Sequence, residues 1–365
     1  MPDILESVKS EKKASPYGSW VVATGEESNT SRSLQIGLVG TGFVAKLRTG
    51  ALTADGRATV SAVASHRADA ARTFASNYRI DHVCDSWQEL VQRPELDVVM
   101  VCNINRDHAP VARAALDAGK SVVVEYPLAL SVADAVELTE LAQQRGLLLH
   151  VEHIELLGGL HQAMLANLPK IGRPLYARYC TATPQTTAPK KWAFQQQLFG
   201  FPLLGALSRI HRLTNLFGAV DWVTSQIQYD DIGPEGYFRH CRCVAQLRFQ
   251  SGLMAEVLYA KGEQTWRSQR WMEVEGDRGA LIFNREQGTL ITADSESPVE
   301  VGSRRGLFAK DTLAVLDNLL DGKPLYVTPQ ASLYALQVAA AAEESARTGQ
   351  MVSVTATYPD ADPPA

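Results

Sequence analysis

The stretch Leu34-Gln-Ile-Gly-Leu-Val-Gly40-Thr-Gly42-Phe-Val-Ala45 decides the fold. An apolar run reads as a buried strand. Two glycines follow, and then a helix-like stretch begins. Each small residue has a physical task. Gly40 permits the tight turn, Gly42 lets the backbone approach a pyrophosphate, and Ala45 allows close strand–helix packing. Phe43 and Val44 open a helix whose N-terminus faces the anion. This predicts a dinucleotide-binding first βα unit, with Gly40, Gly42, Phe43 and Val44 as cofactor contacts.

Working outward, TVSAVAS (59–65) reads as a second strand and is followed by an amphipathic helix. An NAD-specific site carries Asp or Glu at the end of that strand to hold the ribose 2′-OH. Here the end reads Ala64-Ser65-His66-Arg67. Ser65, His66 and Arg67 suit a 2′-phosphate instead, which favours NADPH (NADP+) over NADH. Further buried runs follow at LDVVMVCN (96–103), SVVVEY (121–126) and LLLHVEH (147–153), with helices between them. Continuous aliphatic strands alternating with amphipathic helices predict a parallel sheet covered on both faces. Asn103 and Glu125, at strand C-terminal ends, stand where ligands bind in this fold.

After about residue 155 the rhythm changes to strands in series, broken by turns such as Gln250-Ser251-Gly252. A helix is expected at about 198–217 and an Ala-rich one at about 329–347. The predicted fold class is α/β: an N-terminal Rossmann dinucleotide-binding domain (34–153) plus a C-terminal α+β domain (154–328) with a large, mostly antiparallel sheet. Residues 329–350 are expected to pack back on the first domain. Residues 1–33 and 351–365, polar and without apolar period, are expected to be a disordered extension and a tail.

The 365 residues are 45% apolar and 21% charged, with net charge −5. That balance suits two globular domains and gives no broad attraction to nucleic acid or anionic lipid. No apolar run approaches the roughly 18–20 residues that span a bilayer. Five cysteines and an N-terminus without an apolar core point to a reducing, cytoplasmic setting. Cys241 and Cys243 read as packing residues, and no metal site is expected. The oligomeric state is left open.

Ala118-Gly-Lys-Ser-Val-Val-Val-Glu-Tyr-Pro127 resembles the A-G-K-x-V-x-x-E-K-P signature of the glucose–fructose oxidoreductase/inositol dehydrogenase (Gfo/Idh/MocA) superfamily. Tyr126 replaces its Lys, and Leu204 and Ser208 fall at positions of its Asp and His. Oxidising a sugar alcohol needs a base, so these losses disfavour a polyol substrate. Val124-Glu-Tyr-Pro127, Glu152-His-Ile-Glu-Leu-Leu157 and Phe199-Gly-Phe-Pro202 with Leu207-Ser-Arg209 and Leu216-Phe-Gly218 are similar, in order, to the biliverdin reductase family.

That resemblance implies NADPH-dependent reduction of biliverdin at its C10 methine bridge. It implies Arg209 as the main catalytic residue, Glu125 at the nicotinamide ribose, and Tyr126 lining the nicotinamide pocket before a cis Tyr126–Pro127 bond. His108 matches a cofactor-side histidine, or caps its helix. Arg212, Arg178, Lys190 and Lys191 are candidate partners for the substrate propionates. Phe199, Trp192 and Phe201 could stack on the tetrapyrrole. Glu152 and His153 are expected to pack at the domain junction, and His211 to face solvent. The alternatives are a sugar-acting oxidoreductase and a cofactor-binding regulator without catalysis.

Overall fold

Residues 33–359 are described by a computed structural model. The expected N-terminal extension and the last part of the tail lie outside the described residues. The aliphatic runs form six strands: β1 (Leu34–Val39), β2 (Ala58–Ala64), β3 (His82–Cys84), β4 (Val98–Val101), β5 (Ser121–Val124) and β6 (Leu149–Val151). They pair in the order β3-β2-β1-β4-β5-β6, every pair parallel. Every residue of β4 and β5 is buried, as strands covered by helices on both faces must be.

The helices are α1 (Phe43–Asp55), α2 (Ala68–Tyr78), α3 (Trp87–Val91), α4 (Asn105–Asp117) and α5 (Val132–Arg145). Local chemistry sets their ends. The Ser131 side chain accepts the Asp134 N–H at the start of α5, and Gly146 closes it in the left-handed conformation. Strand order reverses between β1 and β4, so a crevice opens at their C-terminal ends.

A turn at Ile154–Leu156 leads to α6 (Gly159–Asn167), β7 (Pro174–Pro184), α7 (Gln196–Phe199), α8 (Pro202–Gly205) and α9 (Ser208–Phe217). Then come β8 (Val220–Asp230), β9 (His240–Phe249), β10 (Met254–Gly262), β11 (Gln269–Gly276), β12 (Gly279–Asn284), β13 (Gln287–Thr292) and β14 (Glu296–Val299). The chain continues through α10 (Leu307–Asp321) and α11 (Pro329–Thr348) to β15 (Val352–Ser353). The second sheet has nine strands in the order β14-β13-β12-β11-β7-β10-β9-β8-β15. Its pairs are antiparallel except β7 with β10.

Three local expectations are corrected. The single helix at about 198–217 is three short helices. Gly200 sits at φ 86°, Pro202 follows it, and the chain breaks there. The tail after residue 351 is partly anchored: β15 pairs with β8, and the Tyr358 hydroxyl donates to the Thr214 carbonyl at 3.0 Å. Helix α10, not anticipated, packs on α1 of the first domain, while α11 lies on β8 and α9 and also reaches α5 and β6. Cys241 and Cys243 are buried on β9.

Candidate active site

The turn after β1 behaves as its glycines require. Gly40 adopts φ 110°, and a Cβ there would stand 2.5 Å from the Cys102 carbonyl oxygen. Any side chain would push β1 and β4 apart. At Gly42 a Cβ would meet nothing within 4 Å, so this backbone is open on the cleft side. The first turn of α1 carries no acidic residue to compete for its free N–H groups. Phe43 is 71% exposed at the same mouth. The cleft has a volume of about 1200 Å³ and runs from this loop to the face of the second sheet.

Ser65, His66 and Arg67 border the cleft, with the Thr41 hydroxyl donating to Ser65 Oγ at 3.3 Å. The Arg67 side chain is exposed and makes no ion pair among the described residues. No carboxylate stands at the end of β2. An open turn, a free helix N-terminus and an unpaired arginine fit a dinucleotide with a 2′-phosphate. Asn103 adds an orphan: its side-chain oxygen is buried without a hydrogen-bond partner, on the cleft wall.

His108 lies in the first turn of α4, buried, with Nδ1 2.8 Å from the Pro127 carbonyl and Nε2 3.3 Å from the Asn103 carbonyl. Burial lowers its pKa, so the ring is neutral and donates to one of the two. It clamps the turn that carries the cis Tyr126–Pro127 bond.

The floor is a charge network that sequence reading missed. Arg48, fully buried on α1, donates through Nε to Glu125 Oε1 at 2.8 Å and through Nη1 to Asp311 Oδ2 at 2.7 Å. Asp311 also receives His150 Nε2 at 2.7 Å and the Tyr326 hydroxyl at 2.6 Å. Burial opposes the Asp311 charge, yet His150 and Arg48 hold its pKa below the ordinary carboxylate value. Glu152, beside Glu125, goes the other way. Burial first, then the charges of Glu125 and Asp311, raise its pKa well above normal. Helix α1 offers a clue, since Arg48 falls on its buried side with Ala45, Thr49 and Leu52. A charge there demands a partner.

On the opposite wall, the Ser208 hydroxyl donates to the Tyr126 hydroxyl at 3.3 Å and accepts from Arg209 Nη1 at 2.9 Å. Arg209 Nε donates to Thr181 Oγ1 at 3.3 Å, and the guanidinium lies 5.4 Å over the Tyr259 ring. Burial works against this cation, but Tyr179, Tyr126 and Tyr259 outweigh it and its pKa is raised. Phe199 lines the same wall between Trp192 and Tyr259, with Lys261 Nζ 3.7 Å from its ring centre. Asn105 Nδ2, another residue missed, ties α4 to the Phe199 carbonyl at 3.0 Å. Leu204 is buried and offers no acid or base.

Five predicted contacts lie elsewhere. Arg178 is on β7 away from this cleft, paired with Glu256 at 3.3 Å. Arg212 is 1% exposed and donates to the Tyr179 hydroxyl at 2.7 Å and to Glu155 Oε2 at 2.8 Å. Lys190 pairs with Glu235 on the surface, and Lys191 is exposed outside the cleft. Phe201 is in the core. His211 does not face solvent; it is buried with its ring 3.8 Å from His153. His153 in turn stacks on Tyr126 at 5.5 Å and bonds Ser332 Oγ at 2.9 Å, at the junction of the domains.

Two family descriptions match: "Oxidoreductase family, NAD-binding Rossmann fold" over residues 34–153 and "Oxidoreductase family, C-terminal alpha/beta domain" over residues 167–354. The chain belongs to the Gfo/Idh/MocA oxidoreductase family. Within this family it is 47% identical to the biliverdin reductase of Synechocystis sp. PCC 6803, whose crystal structure holds biliverdin and NADP+. The match covers 86% of this chain and 99% of that one, with a TM-score of 0.84. Human biliverdin reductase A is 28% identical over 64% of this chain and 70% of its own length. The 1,5-anhydro-D-fructose reductase of Ensifer adhaerens is 26% identical over 87% of this chain and 98% of its own length.

Proposed function

We propose that this chain reduces biliverdin to bilirubin with NADPH. The observation that carries the reading is the Tyr126–Ser208–Arg209 array. Where alcohol chemistry in this superfamily calls for a lysine and a histidine, the cleft presents a tyrosine with raised pKa, a serine and a fixed cation. The similarity to a biliverdin reductase over 86% of this chain supports it.

The chemistry follows from the acceptor. Reducing the C10 methine bridge adds one hydride to carbon and one proton to a pyrrole nitrogen, and no hydroxyl is deprotonated. Bound NADPH supplies the hydride. Gly40, Gly42, Phe43 and Val44 hold its pyrophosphate at the α1 N-terminus, and Ser65, His66 and Arg67 take the 2′-phosphate. Asn103 and Glu125 hold the ribose beside the nicotinamide, with His108 fixing the turn behind it. Tyr126 and Phe199 give the pigment a flat apolar wall. Arg209, charged and braced by Ser208 and Thr181, stabilises the electron density that reaches the central pyrroles, and the pyrrole nitrogen takes up a proton that is drawn in the end from solvent.

The test is optical. Purified protein, NADPH and biliverdin should show loss of the biliverdin band and growth of a bilirubin band. An unchanged pigment spectrum, with a polyol or sugar turned over instead, would refute the proposal.

A further inference from the structure

Lys261, on β10, is a buried cation without an anion. It is 6% exposed, and no carboxylate pairs with it among the described residues. Its ammonium donates to the Ala193 carbonyl and sits in a cage of rings. Nζ lies 3.7 Å from the ring centre of Phe199, 4.9 Å from Phe194, 5.3 Å from Phe238 and 5.7 Å from Tyr259. Burying a charge is unfavourable unless a partner offsets it, and cation–π contacts offset only part. Burial, with a smaller push from Arg209, lowers the Lys261 pKa to about 8. Such perturbed groups cluster where proteins use them.

Its position says which use. Phe199 and Tyr259 line the main cleft, and Lys261 stands behind them. The two rings are 6.4 Å apart and 21° from parallel. Arg209 shares the Tyr259 ring, with its guanidinium 5.4 Å from the centre. One aromatic wall is thus backed by two cations, one from α9 and one from β10. The Phe199 ring is also pinned. A Cβ at Gly205 would stand 2.8 Å from it, and Asn105 holds the Phe199 carbonyl at 3.0 Å. A cation against one face of a ring draws its π electrons away from the other face.

We propose that Lys261 is a positioning residue of the reductive site, acting through the Phe199–Tyr259 wall: its ammonium fixes and polarises the two rings, so that the wall, with Arg209, favours the negative charge that hydride transfer brings to the pigment. This rests on the biliverdin reading above and adds a residue that does not itself touch the substrate. The interaction grows as charge develops, so it raises kcat rather than tightening binding. The pigment would lie roughly 7 Å from Nζ, the 3.7 Å to the Phe199 ring plus about one stacking distance. A unit charge at that range, through an effective dielectric of about 20, is worth about tenfold or more in rate.

The test follows kcat and KM for biliverdin, with NADPH, from about pH 6.5 to 9.5 in wild type and Lys261→Met. At pH 7 the variant should lose about tenfold in kcat, with KM and NADPH affinity within about threefold of wild type. In the wild type kcat should fall toward the variant's level as pH rises above about 8, and the variant should show no such step. No other group against Lys261 accounts for a step there. Burial raises the pKa values of Tyr259 and Tyr229 and pushes Cys241 up to about 11, while Arg209, raised by its tyrosines against burial, stays charged. In the neighbouring segments Lys190 pairs with Glu235, Arg239 with Glu263 and Asp230 with His240. Stability is the control: methionine carries no desolvation penalty, so Lys261→Met should melt no more than about 2 °C below wild type at pH 7. If it melts lower, the wild-type step, which needs no variant, decides. An unchanged kcat, a loss confined to KM, or a wild-type profile without the alkaline step overturns the proposal. A wild type that reduces no biliverdin refutes the reductase reading and this proposal with it, whereas equal turnover by both proteins overturns this proposal alone.

Discussion

Replacing Arg48 with Met should unmask the buried network under the cleft. The substitution keeps an unbranched apolar stem and removes the charge and its hydrogen-bond donors. It strips Glu125 and Asp311 of a partner at 2.8 and 2.7 Å, and both the Arg48 and the Asp311 side chains have no solvent exposure. Leaving buried carboxylates uncompensated costs about 3–5 kcal/mol. With an unfolding entropy near 2.1 cal/mol/K per residue, a chain of this size should then lose about 4–7 °C in Tm.

The pH dependence gives the sharper check. The Asp311 pKa is lowered in the folded protein, so its contribution to stability is present above the unfolded value of 3.8 and is lost as pH falls through the folded value. Without Arg48 the Asp311 pKa rises toward normal, and that contribution shrinks. The gap between wild type and Arg48→Met should therefore be full at pH 7 and should narrow as pH falls below about 4. Scanning calorimetry across that range measures it. A Tm within 1 °C of wild type at pH 7, or a gap that does not depend on pH, would refute the reasoning.

Three further outcomes are expected. Arg209→Ala should lower kcat about 100-fold, the scale of losing one preorganised electrostatic group, with NADPH affinity within twofold of wild type; wild-type turnover would remove Arg209 from the reaction. Arg67→Ala should reduce the preference for NADPH over NADH about tenfold, as expected for one lost charge-assisted contact, measured as the ratio of kcat/KM values; an unaltered ratio would mean that the 2′-phosphate is held elsewhere. The pKa of Lys261 is lowered by burial to about 8, so between pH 8 and 10.5 the unfolded chain binds the extra proton and folding gains stability as pH rises. Thermal melts of wild type and Lys261→Met should therefore shift in favour of wild type across that window, and a constant difference would contradict it.

Much of the molecule could be read along the chain because the controlling physics is local. Period-2 and period-3.6 apolar patterns marked the strands and helices of both domains. A glycine turn between strand and helix marked the phosphate loop, and an absent carboxylate after β2 pointed to the cofactor. Elements with weaker local signals were lost: β13 and β14 are short and partly polar, and the 198–217 stretch hid its breaks at Gly200 and Pro202 behind an apolar helix pattern.

Charge pairing was decided by the tertiary structure alone. Arg48 meets Asp311 across 263 residues, and Arg212 meets Glu155 across 57. No periodicity carries such information, because a guanidinium reads the same in sequence whether it ends in water or in a buried carboxylate. For that reason Arg178 and Arg212, both candidates for an anion when read along the chain, were seen to be already paired, with Glu256 and Glu155, only when the fold brought their partners to them.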